Sequence, residues 1–198
     1  MNVALSIHGI RQPEGGRKSI DLVVKGSDAD IVDTDDLDYN YVLFFRVWFN
    51  GSFVERVAGG IKKWVDHPDV KRIFIFCHSN GLNFTLKALK KLKKRKQLGD
   101  KPIIVVSLSG CARRKINTDA ATEVHNWYTT KDGALKAAIF YPVWSMGSFG
   151  LNRYKGKSKN VISKDISKHI SSHSQWFEPE TLPKTIEKAN ELMRSYET

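Results

Sequence analysis

Cysteine is scarce: Cys77 and Cys111 are the two in a chain of 198 residues. A disulfide scaffold is therefore excluded, and no Cys/His spacing suggests a metal centre. Both cysteines fall at the ends of predicted strands and are expected to be reduced. Proline is also sparse, with six in all, and no linker, repeat or low-complexity stretch divides the chain. One domain over residues 1–198 is the expectation. No apolar run approaches the ~20 residues of a membrane span. Met1 to Ile7 lacks a basic leader and a long apolar centre, so it reads as a first strand rather than a signal peptide. A cytoplasmic location is the resulting expectation.

Negative charge is short as well. Lysine and arginine number 32 against 21 acids, a net charge of +11. That balance favours anionic partners such as acidic headgroups, acidic metabolites or nucleic acid. Arginine-rich modules interleaved with aromatics are missing, which puts nucleic acid second. Six of the acids are aspartates between Asp28 and Asp38. This segment lacks the central glycine and terminal glutamate of a calcium loop, and reads as a solvated acidic loop.

What is present is the make-up of an ordinary globular domain with a sizeable core, 41% hydrophobic and 27% charged,. Ile73 to Phe76 is wholly apolar, and Val3 to Ile7 and Ile103 to Leu108 are apolar except for Ser6 and Ser107, as expected of strands buried on both faces,. Ala29 to Val32, Glu123 to Thr129 and Asn160 to Ser163 read as further strands. Arg17 to Lys25 reads as a short helix, and helical spacing marks Phe53 to Val65 and the stretch from Leu82, which runs through Lys96 and closes at Gly99. A helix beginning at Ala134 and a terminal helix carrying Leu182, Ile186, Ala189 and Met193 follow. Strands alternating with helices predict an α/β fold, a mostly parallel sheet with helices on both faces. Tyr39 to Asn50 is rich in aromatics and reads as core or as a pocket wall. Pro142 to Gly156 reads as a long loop.

The chemistry-bearing stretch is Cys77-His78-Ser79-Asn80-Gly81, set between the strand at 73–76 and the helix from Leu82. A buried strand, a five-residue turn and a helix with serine at the apex match a nucleophile elbow. Gly81 supplies a small residue where strand and helix nearly touch, and Cys77 stands where glycine is usual. Upstream, the first strand runs into His8-Gly9-Ile10-Arg11. Amides after such a glycine can face a developing oxyanion. Downstream, Asp132-Gly133 follows a late strand, and His173-Ser174-Gln175-Trp176-Phe177 precedes the last helix.

Taken together these residues resemble the α/β-hydrolase superfamily, and the His-Gly-Ile-Arg opening is similar to small serine-esterase and lipase-like hydrolases. The resemblance implies a minimal α/β-hydrolase fold without a large cap domain. It implies a carboxylic-ester hydrolase, with thioester and amide cleavage sharing the same site. Ser79 would be the nucleophile, His173 the base and Asp132 its partner; the Asn80 and Ile10 amides would hold the oxyanion. His8, Gly9, Cys77, His78 and Gly81 would support the turn. His173 is preferred to His169 as base, and Asp132 to Asp119 as acid. No metal or cofactor is implied, and the substrate would be a small or lipid-like ester. Trp144 and Phe149 would suit its acyl group. The reading from another class is a non-catalytic binding protein on a hydrolase scaffold, using the basic helix 87–96 for anionic partners.

Overall fold

The computed structural model describes residues 1–8, 16–34, 51–139 and 149–197. Gly9, Ile10, the aromatic segment 39–50 and Trp144 lie outside the described residues. Six strands run β1 (Asn2–Ile7), β2 (Ile31–Asp33), β3 (Arg72–His78), β4 (Ile103–Leu108), β5 (Glu123–Tyr128) and β6 (Val161–Asp165). The helices are α1 (Gly16–Lys25), α2 (Gly51–Val65), α3 (Gly81–Lys94), α4 (Gly133–Ile139) and α5 (Leu182–Arg194). The strands form one sheet in the order β2-β1-β3-β4-β5-β6, and every neighbouring pair is parallel.

Strand alternation divides the core into two layers. Val3, Leu5, Ile7, Ile73, Ile75, Ile103 and Val105 pack beneath α2 and α3. Ala4, Phe74, Phe76, Ile104, Val106 and Leu108 pack on the other side, against Ile20, Val23 and Val24 of α1 and Ala189 and Met193 of α5. Each fully buried Ile, Phe or Leu contributes roughly 2–3 kcal/mol. The central strands β1 and β4 are therefore buried at every residue. The edge strands β2 and β6 are only partly buried, which explains why their sequence signals are weaker.

Two expectations shift. The second strand sits at Ile31–Asp33 rather than 29–32, and the acidic segment around it is not simply solvated. Asp33 is buried and accepts hydrogen bonds from the Trp64 indole at 2.5 Å and Lys63 Nζ at 3.1 Å. Asp30 accepts the Asn2 amide at 2.6 Å, and Asp28 pairs with Arg194 at 3.3 Å. These carboxylates fasten α2, β1 and α5 to the β2 edge. Among the described residues no group of three or more His, Cys, Asp or Glu is placed to hold a metal ion. Also among them, no helix is long and apolar enough to cross a membrane.

Phe149 is the other correction. Expected as an acyl-lining side chain, it is fully buried in a short 3-10 turn, Phe149–Leu151, its ring 5.8 Å from that of Tyr154. The Phe149 amide donates to Ala112 O and the Gly150 amide to Gly110 O. Asn126 on β5 donates to the carbonyls of Phe149 and Asn152 at 2.9 and 3.0 Å. A buried asparagine thus fixes the backbone of this segment against the sheet.

The start of α3 lies directly against the end of β1, backbone to backbone. A Cβ on Gly81 would stand 2.3 Å from Ile7 O and 2.8 Å from His8 O. Both obstacles are backbone atoms, one in the last residue of a central strand and one just after it, so neither can move aside cheaply. Gly81→Ala is expected to lower the unfolding free energy by at least about 2 kcal/mol through overpacking. Urea unfolding checks this: the midpoint should fall while the slope with denaturant stays unchanged.

Candidate active site

Parallel strands send all their carboxyl ends the same way, so His8 after β1 and the turns after β3, β4, β5 and β6 gather at one edge of the sheet. The order reverses between β1 and β3, and in open α/β sheets ligands bind in the crevice at such a switch point. His8 follows β1 and Ser79 follows β3, one on each side of that crevice.

Ser79 occupies a left-handed backbone conformation, φ 54°. For a residue bearing a Cβ this costs about 1–3 kcal/mol and persists only when the surroundings enforce it. They do: the Ser79 amide donates to Leu108 O, and Ser79 O accepts the Cys111 amide at 2.7 Å. The side chain is half-exposed. Immediately after it, Asn80 is fully buried at the start of α3 and its side chain does not cap the helix. The first N–H groups of a helix have no partner within it, and attract negative charge. Cys77, on the strand side of the turn, is buried with Sγ 3.1 Å from Thr85 Oγ1. Burial pushes its thiol up to about 12, so it is a packing residue and not a nucleophile.

Asp132 and His173 meet at the far side of the same edge. Asp132 ends the turn after β5 and is fully buried. One carboxylate oxygen accepts the Leu135 amide at 2.9 Å, which makes Asp132 the cap of α4,. The other accepts His173 Nδ1–H at 2.7 Å. Burial is the largest influence on this carboxyl and opposes its charge. The bond and charge of His173, the Leu135 amide and the Ser109 hydroxyl together outweigh it and hold the group below the usual carboxylate range. With Nδ1 engaged, the Nε2 of His173 is the nitrogen able to take a proton.

The loop that carries His173 is strapped down from three sides. Thr129 Oγ1 donates to Ile170 O at 2.6 Å, and the Trp176 indole donates to Ser109 Oγ at 2.9 Å. His78 Nε2 donates to the carbonyl of His173 at 2.9 Å, and the two imidazole rings lie 4.5 Å apart. The residue beside Ser79 therefore grips the residue beside Asp132. Burial, then the neighbouring His173 charge, push His78 down to about 3, so it stays neutral and keeps its donor role. On the other flank, His8 Nε2 is 3.0 Å from Asp21, which also accepts the Ser6 hydroxyl at 2.5 Å.

The two competing residues sit elsewhere. His169 is exposed, with no carboxylate partner among the described residues. Asp119 precedes β5, at the opposite end of that strand from Asp132, and accepts the Asn117 side chain at 2.9 Å. Ser109 and Thr129 are site supports that no sequence motif singled out, whereas Trp176 lies within the stretch His173 to Phe177. Ser109 shares the left-handed strain of Ser79, φ 50°, and a Ser-Gly pair closing a buried strand was the available signal. Comparison with the models of known protein families finds no match, and comparison with curated proteins finds none either.

The neutral, half-buried His78 makes the fold less stable in acid. Below about pH 6.5 the unfolded chain protonates this imidazole, whereas the folded chain resists until about pH 3,. The unfolded state then binds more protons, so stability falls as pH drops through that window. His125, also lowered by burial, acts in the same direction. His78→Asn should flatten the decline between about pH 6.5 and 4.5, leaving the part due to His125. Urea unfolding of both proteins across that range tests it; parallel slopes would refute the assignment.

Proposed function

We propose that the chain is a serine hydrolase of α/β-hydrolase type that cleaves a carboxylic ester through an acyl-enzyme. The observation that carries this is the hydrogen-bonded bridge from Ser79's neighbour to the His173–Asp132 pair. A strained serine turn and a carboxylate-oriented imidazole are held against each other by His78. Serine is a weak nucleophile until a base stands by, and a histidine serves as base only if its tautomer is fixed. The Asp132 bond fixes it. The strand order supports the same reading, with serine after β3, aspartate after β5 and histidine after β6,.

In this mechanism Ser79 Oγ attacks the ester carbonyl as His173 Nε2 takes its proton. Asp132 stabilises the imidazolium and is not itself protonated. The Asn80 amide, at the uncapped start of α3, holds the oxyanion, a donor worth about 3 kcal/mol in the transition state,. His173 then protonates the leaving alcohol, and water repeats the sequence to release the acid. No metal or cofactor takes part. Two free, buried cysteines suit the reducing cytoplasm.

The binding-protein reading loses support at its own helix. Lys91 and Arg95 both pair with Glu55, whose carboxyl they hold down to about 2, and Lys93 donates to Asp119 O at 2.7 Å. Much of the basic block in α3 thus serves the fold.

Intact-mass labelling with a fluorophosphonate tests the proposal. Wild type should gain one adduct, absent in Ser79→Ala and His173→Ala and retained in His169→Ala. Asp132→Asn should lower kcat on a p-nitrophenyl ester about 10³- to 10⁴-fold, the cost of a wrong imidazole tautomer. A folded wild-type protein that takes no adduct would overturn the proposal.

A further inference from the structure

A basic stripe lies away from α3, on two segments that no functional motif covers. Residues 113–118 and 153–160 run side by side. The Lys155 amide donates to Arg114 O at 3.0 Å. Tyr154 Oη donates to Ile116 O at 2.9 Å, and Thr118 Oγ1 to Asn160 Oδ1 at 2.7 Å. Asn160 Nδ2 donates to the carbonyls of Thr118 and Ala121 at 3.0 and 2.8 Å. These bonds hold Tyr154 and Asn160 inward, and Ser158 accepts the Thr118 amide between them. The alternate residues must then face out, and each of them is a cation: Arg153, Lys155, Lys157 and Lys159 are all exposed. Arg113 and Lys115 stand exposed on the neighbouring segment.

Neither segment holds a carboxylate between Ser109 and Thr118 or between Phe149 and Lys164, and Asp119, next to the first, is engaged by the Ser158 hydroxyl and the Asn117 side chain. Among the described residues none of these six cations forms an ion pair. That sets the stripe apart from α3, where Glu55 takes two of the cations. Alternate residues lie at most about 7 Å apart along the chain, within the Debye length of physiological salt, so their fields add. The inward hydrogen bonds make this a fixed array rather than a scatter of surface lysines.

We infer that the stripe formed by Arg113, Lys115, Arg153, Lys155, Lys157 and Lys159 docks the protein on an anionic lipid bilayer. Charge complementarity selects a polyanion, and the make-up of the stripe selects among polyanions. Sites for single-stranded nucleic acid add exposed aromatic rings for the bases to stack on. Here the one aromatic, Tyr154, is turned inward and fixed through its hydroxyl. What remains is a polybasic, lysine-led surface, the composition that anionic leaflets attract, at about fivefold in affinity per cation. The stripe starts close to the serine turn: Cys111, two residues before Arg113, donates to Ser79 O. Docking is nonetheless independent of the chemistry at Ser79.

Sedimentation with sucrose-loaded vesicles reads binding alone, whatever the activity. Wild type should pellet with phosphatidylcholine vesicles containing phosphatidylserine, remain free with phosphatidylcholine alone, and release as salt rises toward about 0.5 M. Replacing Arg153, Lys155, Lys157 and Lys159 together by Gln should weaken binding at least about 100-fold. Replacing Lys25, Lys71, Lys184 and Lys188 by Gln, an equal loss of charge elsewhere, should weaken it less than about threefold. Circular dichroism checks folding, and the pair Arg113→Gln/Lys115→Gln, expected to cost about 10- to 30-fold, serves if the quadruple variant does not fold. Equal losses in the two quadruple variants would reduce the effect to net charge and overturn the stripe. So would equal binding to both vesicle types. Tighter binding of a random duplex oligonucleotide than of the anionic vesicles would reassign the partner to nucleic acid and overturn the bilayer.

Discussion

The parallel sheet is the constraint from which the rest follows. A parallel strand cannot be reached by a tight hairpin, so each connection crosses a face of the sheet. Both faces are thereby covered, and the strands must be apolar on both sides. The same constraint aligns all carboxyl ends, so side chains from distant parts of the sequence meet at one edge. Ser79, Ser109, Asp132 and His173 are brought together by that geometry, not by any local motif.

Within that edge, Asp132 is the group on which the arrangement depends. A buried carboxylate is costly unless its lone pairs are satisfied. Here one oxygen caps α4 and the other orients His173. The cap fixes where the carboxylate sits, and the imidazole fixes how the 171–177 loop must lie. His78, Thr129 and Trp176 then close that loop onto the strand ends. The strain at Ser79 and Ser109 is sustained because neighbouring backbone bonds and the close Gly150–Ser109 contact leave those residues no other conformation.

The positive charge of the chain divides into two kinds. Some of it is consumed inside the fold, as where Glu55 binds Lys91 and Arg95 or Asp33 binds Lys63. The remainder is presented outward by backbone that internal hydrogen bonds have fixed, as at residues 153–159. Composition reports the sum of the two and cannot separate them, since pairing depends on which segments become neighbours.

The sequence by itself determined the α/β class, the central strands and the helices. Their signals are local: apolar runs where both faces are buried, helical spacing where one is. It also determined the serine turn, because strand, small residues and helix are contiguous there. The edge strands were read less well, since half-exposed residues such as those of β6 carry a weaker pattern. Only the tertiary structure decided that Asp132, not Asp119, faces a histidine, and that this histidine is His173 rather than His169. Those pairs lie tens of residues apart, and strand order alone sets their proximity. Only packing, likewise, turned Phe149 inward, made His78 a clasp on the His173 loop, and left Arg153, Lys155, Lys157 and Lys159 outside. Each outcome depends on which hydrogen-bond partners the finished fold supplies, and no stretch of chain carries that information alone.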